Sequence, residues 1–279
     1  MSEPAPASYV MGHNDRERTR LGLQATILNP FTEQLLRRAG VVEGMSVLDI
    51  GCGAGDLAIM AAQLVGRQGR VIALDIDRPA LDTSQARARE NGLANIEFIH
   101  SNIDDYRAGH SFDAVIGRHI LLHTPNPLNV LRKACLILRE SGVAVFHEYD
   151  FSTIQQAYPT WPLREKIFNF YRDFFCRAVH GDIGRRLFHL FLEAGFTAPD
   201  CRVEFPVGGG ADSPFYEWMA ESIRSILPRA LSLGIEVDME LDPDTLAQRL
   251  MEEAVALKAS FPAPCLVGGF AQKRSRTAL

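Results

Sequence analysis

The amino-acid sequence predicts an α/β fold, and three observations carry the prediction. An aliphatic run over 47–50 ends at a glycine-rich turn, and 57–62 then has the composition of a helix. Further apolar runs of strand length recur at 70–77, 96–100, 112–117 and 143–148. The chain has 279 residues, 47% hydrophobic and 23% charged, which suits one large domain or a core with a cap. Strands that alternate with helices indicate β–α units and a parallel sheet.

The turn after the first strand has the chemistry of a nucleotide-type cofactor site. Gly51, Gly53 and Gly55 would let the backbone approach a ligand where a Cβ would collide. Their spacing differs from that of loops that bind a pyrophosphate, and Asp56 near the helix N-terminus would repel one. Asp49, just before the turn, could accept a hydrogen bond from an amine. The loop therefore favours a cationic ligand without phosphate.

The next two strands carry polar side chains in the same order as a nucleoside site requires. Asp75 follows the glycine turn by about 20 residues, the distance at which an acid binds the ribose hydroxyls of an adenosine. Asn91 and Gly92 give a C-cap signal for the helix in between. Asn102 follows the third strand, and its amide oxygen could accept from an adenine amine. Asp104 is the alternative if the register shifts.

Together these motifs resemble the class I S-adenosylmethionine-dependent methyltransferases, in particular bacterial enzymes that act on small molecules of secondary metabolism. Most members carry an acid where this chain has Asn102. The resemblance implies a Rossmann-like, seven-stranded, mostly parallel sheet with helices on both faces, and a seventh strand that runs antiparallel between strands five and six. It implies S-adenosylmethionine as the cofactor. The implied cofactor-binding residues are Tyr9, Asp49, Gly51, Cys52, Gly53, Asp75, Ile76, Asn102, Ile103 and Arg118.

The segment from Tyr9 to His13 also resembles the N-terminal segment of that group, which folds over the donor. The alternative is an arm whose Tyr9 packs elsewhere. Residues 1–44 are expected to form a helical arm, in which Pro30 marks a break or a new first turn. Residues 45–279 are expected to form the core, with five β–α steps up to about residue 150.

Two insertions, at about 149–180 and 208–262, interrupt the core and are rich in Phe, Tyr and Trp. They predict a helical, aromatic cap over a pocket for an apolar or aromatic small molecule. Helix packing alone would also explain most of these aromatic residues. The remaining expected elements are helices at 164–179 and 183–194 and strands at 201–207 and 265–271.

Methyl transfer is an in-line displacement, so a base is needed only when the nucleophile carries a proton that must leave. Glu148 and His123, which follow strands five and four, are the favoured bases. A structural hydrogen bond is the alternative for Glu148, and a capping role is the alternative for His123. His119 and His123 have the spacing of a zinc pair, but no third ligand is fixed by the sequence and Arg118 would oppose a cation. We therefore expect no metal.

The composition and net charge of the chain limit the classes of molecule that it is expected to bind. The net charge of −5 argues against nucleic acid, and no apolar run approaches the ~20 residues of a membrane span. Five cysteines without a Cys-x-x-Cys pair suggest reduced thiols and a cytoplasmic location. A small-molecule substrate is expected, and a homo-oligomer stays open. The alternative function is a cofactor-binding relative that acts as a non-methylating cyclase or partner. A nicotinamide dehydrogenase is disfavoured by the loop spacing.

Overall fold

A computed structural model describes the backbone of residues 15–274 and the side chains of residues 20–274. Its strands are β1 (Ser46–Ile50), β2 (Arg70–Asp75), β3 (Ile96–His100), β4 (Phe112–Arg118), β5 (Leu138–Asp150), β6 (Phe196–Glu204), β7 (Val207–Gly209), β8 (Ser260–Pro262) and β9 (Cys265–Lys273). Its helices are α1 (Asp15–Arg38), α2 (Asp56–Val65), α3 (Arg78–Glu90), α4 (Pro127–Ile137), α5 (Pro162–Ala178), α6 (Ile183–Glu193), α7 (Phe215–Ser232) and α8 (Leu246–Leu257), with a 3-10 turn at Met239–Leu241.

Seven strands form one sheet in the order β3-β2-β1-β4-β5-β9-β6. The first five strands of this order pair in parallel, whereas β9 is antiparallel to both β5 and β6. The expected seven-stranded sheet, with its last strand inserted between the fifth and sixth, is confirmed. The carboxyl ends of β1, β2, β4 and β5 meet at one edge, where ligands bind in open α/β sheets.

Successive side chains along each strand point to opposite faces of the sheet, and helices cover both faces. On one face, Val47 packs with Leu35 of α1 and Leu57 of α2. On the other face, Leu48 belongs to a core that also contains Leu131 of α4. Helices on both faces are therefore confirmed, and the central strands are apolar on both sides because both sides are buried.

Two local expectations were wrong. No helix lies between β3 and β4, so the expected run of five β–α steps is interrupted there. Instead, Asn102 folds the chain into a turn by accepting the backbone N–H of Asp105 at 2.8 Å, a local bond that competes with a helix. Pro30 does not break α1, which continues to Arg38. Apolar packing of Leu28 and Leu35, on either side of Pro30, holds the helix despite the lost N–H.

The later elements shift from their expected bounds. Strand β6 occupies 196–204 rather than 201–207, because its pairing with β9 begins at Phe196 opposite Lys273. The second insertion contains the expected helices α7 and α8, and also the small antiparallel sheet of β7 and β8, which the sequence did not indicate. No helix within residues 15–274 has both the length and the apolar character that a bilayer-spanning segment needs.

The cap shares its hydrophobic core with the sheet. A single cluster of buried residues contains Leu48 and Ile72 of the sheet together with Phe175, Phe215 and Phe261 of the insertions. Helix α1 packs on α7 of the cap as well as on α2. The cap therefore shares one hydrophobic core with the sheet, while the division into an arm and a core stays a prediction.

Candidate functional site

The glycine turn leaves one backbone position open to a ligand. Gly53 has φ +52°, and no atom of the described residues lies within 4 Å of the place where its Cβ would be. Gly51 differs, because a Cβ there would lie 2.5 Å from Cδ1 of Ile120 in the loop after β4. A side chain at position 51 would therefore meet Ile120 of the protein itself, whereas the space beside Gly53 is open to a ligand.

Asp75 holds the turn from the end of β2. Its carboxylate accepts the backbone N–H of Gly53 at 2.7 Å and that of Asp77 at 2.8 Å. Burial raises the pKa of Asp75, and these two donors oppose the rise. A carboxylate has about four acceptor positions, so acceptors remain for ribose hydroxyls. The adjacent Ile76 leaves 62% of its surface exposed, an apolar face that suits an adenine ring.

Asp49 is a carboxyl group near the end of β1, just before the glycine turn. Its side chain is wholly buried, and neither oxygen has a hydrogen-bond partner within residues 20–274. Burial raises the pKa of Asp49 to about 8, although the nearby Arg118 opposes the rise. A buried acceptor of this kind calls for a missing donor. The ammonium group of a bound amino acid moiety would supply it.

Arg118 is held by α1. Its Nη1 donates to Asn29 Oδ1 at 2.8 Å and to Thr32 Oγ1 at 3.3 Å, and Thr32 lies 3.0 Å from Nδ1 of His147. The guanidinium thus acts on Asp49 through its charge. Direct contact between Arg118 and the cofactor stays a prediction.

Sequence reasoning did not link Asn29 and Thr32 to this site. The available signal was a row of buried polar residues on α1: Arg20, Gln24 and Thr32 recur at multiples of four positions, which places them on one helical face. Polar residues on an otherwise apolar face indicate specific partners across the interface.

The other expected cofactor ligands have mixed surroundings. Cys52 is buried, and its backbone N–H donates to Leu74 O at 2.9 Å, which fixes the turn to β2. Ile103 is buried, whereas Asn102 is exposed, and its amide is engaged by Asp105. Contact of these residues with adenine stays a prediction. Tyr9 lies outside the residues that the structure describes.

Asp56 at the start of α2 is neutralised locally. Its Oδ1 accepts from Nη2 of Arg87 at 2.7 Å, and the same arginine also donates to the carbonyl of Ala54 in the turn. The acid therefore opposes a pyrophosphate less than its charge alone suggests. Its pair with Arg87 connects the glycine turn to α3.

Glu148 anchors the loop that follows β4. Its two oxygens accept the backbone N–H groups of Ile120 at 3.1 Å, Leu121 at 2.9 Å and Leu122 at 3.2 Å. Burial raises the pKa of Glu148 to about 8 against the effect of these donors. The contacts favour a positioning role, and the role of general base stays a prediction.

His123 lies in the same loop and is neutral at physiological pH. Burial lowers its pKa to about 4, and the charge of Arg20 adds to the shift. A base with so low a pKa binds a proton weakly at pH 7. Within the described part of the chain, no group of three or more His, Cys, Asp or Glu side chains is arranged to hold a metal ion.

The sequence pattern of the family described as "Methyltransferase domain" matches residues 42–192, from just before β1 to the end of α6. This chain belongs to that family. The matched region contains every element that builds the glycine turn, Asp75 and the loop after β4. Helix α1, whose Asn29 and Thr32 hold Arg118, lies outside the matched region.

Two curated relatives are named demethylmenaquinone methyltransferase. The protein of Lactococcus lactis subsp. lactis (strain IL1403) is 33% identical over 138 residues, which are 49% of this chain and 52% of that protein. The protein of Geobacillus kaustophilus (strain HTA426) is 28% identical over 146 residues, 52% of this chain and 62% of that protein. The chain thus spans about half to three fifths of the length of these relatives.

Two solved structures share the fold. The YcgJ protein from Bacillus subtilis has a TM-score of 0.57 at 17% identity, and the match covers 92% of this chain and 99% of that one. The [4+2]-cyclase SpnF has a TM-score of 0.56 at 16% identity, covering 88% of this chain and 81% of the other. At these identities the likeness concerns the fold alone.

Proposed function

We propose that this chain transfers a methyl group from S-adenosylmethionine to a small, apolar or aromatic molecule. The observation that carries the proposal is Asp49, a buried carboxyl group without a partner in residues 20–274, next to a turn that is open at Gly53. The ammonium of the methionine part would satisfy Asp49. Asp75 and Ile76 would hold the ribose and the adenine.

When bound, S-adenosylmethionine supplies a methyl group on a positively charged sulfur. With the cofactor bound, a lone pair of the acceptor would form the new bond to that carbon, and the electron pair of the broken carbon–sulfur bond would stay on sulfur. Any proton on the acceptor would leave to a base or to water. The protein holds the reactants in line, which can supply ~7–11 kcal/mol of the barrier. The aromatic cap excludes water from the carboxyl edge of the sheet.

The cap supports an aromatic acceptor. Its inner layer includes Phe151, whose ring stacks on Phe175 with centroids 3.9 Å apart, and Tyr171, whose hydroxyl is satisfied by the carbonyl of Met219 at 3.0 Å. The names of the two relatives make demethylmenaquinone the first compound to assay. The five cysteines are unpaired, which supports the cytoplasm as the location.

Asp75→Ala tests the donor site. The substitution removes the ribose acceptor and releases the N–H of Gly53, so we expect affinity for S-adenosylmethionine, measured by calorimetry, to fall at least about tenfold, as the loss of a buried polar partner predicts. Asp82→Ala is the control, since Asp82 lies on the exposed side of α3 in an ion pair with Arg78. Unchanged binding by Asp75→Ala would refute the donor site. Formation of S-adenosylhomocysteine with an acceptor then separates transfer from binding alone.

Binding of the donor should release a proton from Asp49. A pKa of about 8 keeps this side chain mostly protonated at pH 7. A nearby ammonium favours the carboxylate and lowers its pKa, so affinity should rise between pH 6 and 7.5, by at most about tenfold per pH unit. Calorimetry in buffers of different ionisation enthalpy measures the released proton. Asp49→Asn should bind more weakly and release none. Equal heats of wild-type binding in all buffers would contradict this assignment.

A further inference from the structure

A second group of buried polar atoms, without partners among the side chains and backbone that the structure describes, lies around the ring of Tyr149 near the end of β5. The imidazole of His119 stacks on this ring, with centroids 4.2 Å apart and planes at 11°. The indole of Trp218 from α7 lies 6.3 Å from the same ring. His119 follows β4 directly and precedes Ile120, which contacts the glycine turn at Gly51. The group therefore adjoins the proposed donor site.

The tautomer of His119 follows from its neighbours on α1. Arg20 donates to Oε1 of Gln24 at 2.8 Å, which fixes the orientation of the Gln24 amide. The amide nitrogen of Gln24 then lies 3.3 Å from Nδ1 of His119 and must donate to it. Burial, and then the charge of Arg118, hold the pKa of His119 well below its usual value, so the ring is neutral. Its one proton is therefore on Nε2.

Both Nε2 of His119 and Nε1 of Trp218 are buried N–H donors, and neither has an acceptor among the side chains and backbone that the structure describes. A buried donor without an acceptor is costly and calls for a missing partner. The backbone of His119 adds to this, because φ +55° is unfavourable for a residue other than glycine. A strained residue that presents an unpaired donor is typical of a functional site.

We propose that His119 and Trp218 form the subsite that binds the methyl acceptor, and that they bind it through a hydroxyl or oxyanion oxygen. The acceptor class is a phenol, an enol or a related aromatic oxygen compound, which stacks among the rings of the cap. This inference rests on the proposed methyl transfer. It selects against amines, because an N–H group of the substrate would meet the two N–H donors, and a cationic amine would meet the charges of Arg20 and Arg118.

The two tryptophans of the chain give an internal control. Trp161 Nε1 already donates to Glu253 at 2.9 Å, whereas Trp218 Nε1 has no acceptor within the described residues. The probes are 1-naphthol and 1-naphthylamine, which share a ring system and differ in the polar group. We expect 1-naphthol to move the indole N–H cross-peak of Trp218 in a ¹⁵N–¹H spectrum and to leave that of Trp161 in place. We expect 1-naphthylamine, which makes no hydrogen bond to the indole, to move the Trp218 cross-peak much less and to leave that of Trp161 in place.

Substitutions measure how much each N–H donor contributes to the affinity for the probes. Trp218→Phe keeps a ring and removes the donor, so 1-naphthol should bind about three- to tenfold more weakly, the effect of one neutral hydrogen bond. The affinity of Trp218→Phe for 1-naphthylamine should stay within about twofold of the wild-type value, because this probe makes no hydrogen bond to the indole. Trp161→Phe is the matched control and should change the affinity for neither probe. His119→Asn is the second variant, because Asn tolerates positive φ but is too short to replace the donor.

The proposal is overturned if 1-naphthol fails to bind or if the two probes bind equally. It is also overturned if Trp218→Phe and His119→Asn weaken the binding of both probes alike, because the two side chains would then act through packing and not through their N–H donors. Binding of S-adenosylmethionine is measured on the same proteins. If wild-type protein prefers 1-naphthol but does not bind S-adenosylmethionine, the methyl transfer fails and the oxygen subsite stands. If wild-type protein binds S-adenosylmethionine without preferring 1-naphthol, the oxygen subsite fails and the proposed methyl transfer stands.

Discussion

Gly53→Ala is expected to reduce binding of S-adenosylmethionine at least about a hundredfold while the protein stays folded. Apart from the two neighbours of Gly53 in the chain, no atom of the described residues lies within 4 Å of the new methyl group, so the group projects into the space assigned to the cofactor. The left-handed backbone costs about 1–2 kcal/mol for alanine, which should lower the melting temperature by several degrees. Calorimetry with S-adenosylmethionine and circular dichroism measure the two effects.

Gly92→Ala is the matched control. Gly92 follows α3, has φ +66°, and likewise has no described atom within 4 Å of its Cβ position. The substitution introduces the same kind of backbone strain away from the glycine turn. Its melting temperature should fall about as far as that of Gly53→Ala, and its cofactor affinity should match the wild type. Normal binding by Gly53→Ala would show that the turn does not contact the cofactor.

Glu148→Gln is expected to destabilise the protein more than it impairs the chemical step. One oxygen of the amide can still accept two backbone N–H groups, but the NH₂ group replaces the oxygen that accepts from Leu122. A buried donor left facing another donor costs about 1–3 kcal/mol. Melting temperature and cofactor affinity should therefore fall together, whereas the pH profile of turnover should keep its shape.

The alternative outcome has a distinct signature. If Glu148 removes a proton from the acceptor, Glu148→Gln should lower turnover by ~10²–10⁴ and delete the acidic limb of the pH profile, with stability nearly unchanged. That result would establish Glu148 as the base and refute the anchoring role. His123→Asn completes the comparison, because a base with a pKa of about 4 should contribute little at neutral pH.

The sheet and the geometry of the glycine turn were predictable because their signals are local, whereas the cofactor-binding roles of the turn residues stay predictions. Apolar runs bounded by turn residues gave β1 to β5, and the spacing of glycines and acids gave the turn at Gly53 and the acceptor at Asp75. The position of β9 followed from the family resemblance. Each of these depends on a few adjacent residues or on a fixed spacing, so one sequence suffices.

The remaining features depend on contacts between distant parts of the chain. Thr32 and His147 meet across 115 positions, and neither residue signals the other. Glu148 can anchor the loop after β4 only because that loop lies beside the end of β5. No short sequence motif encodes this proximity. The continuity of α1 through Pro30 overrode propensity through packing. The turn at Asn102 follows the tendency of Asn to bond to nearby backbone, and the expected β–α repeat overlooked that tendency.

The position of β9 in the sheet has a consequence for synthesis. β5 and β6 do not pair with each other; each pairs with β9, which follows β6 by about 60 residues in the chain. At ~5–20 residues per second, a ribosome needs several seconds to make that interval. During it, β6 has no partner and β5 carries an open edge beside Val143 and Val145, residues that are buried in the finished fold. The nascent chain thus passes through a stage in which an apolar sheet edge, later covered by β9, is open to pairing with other strands.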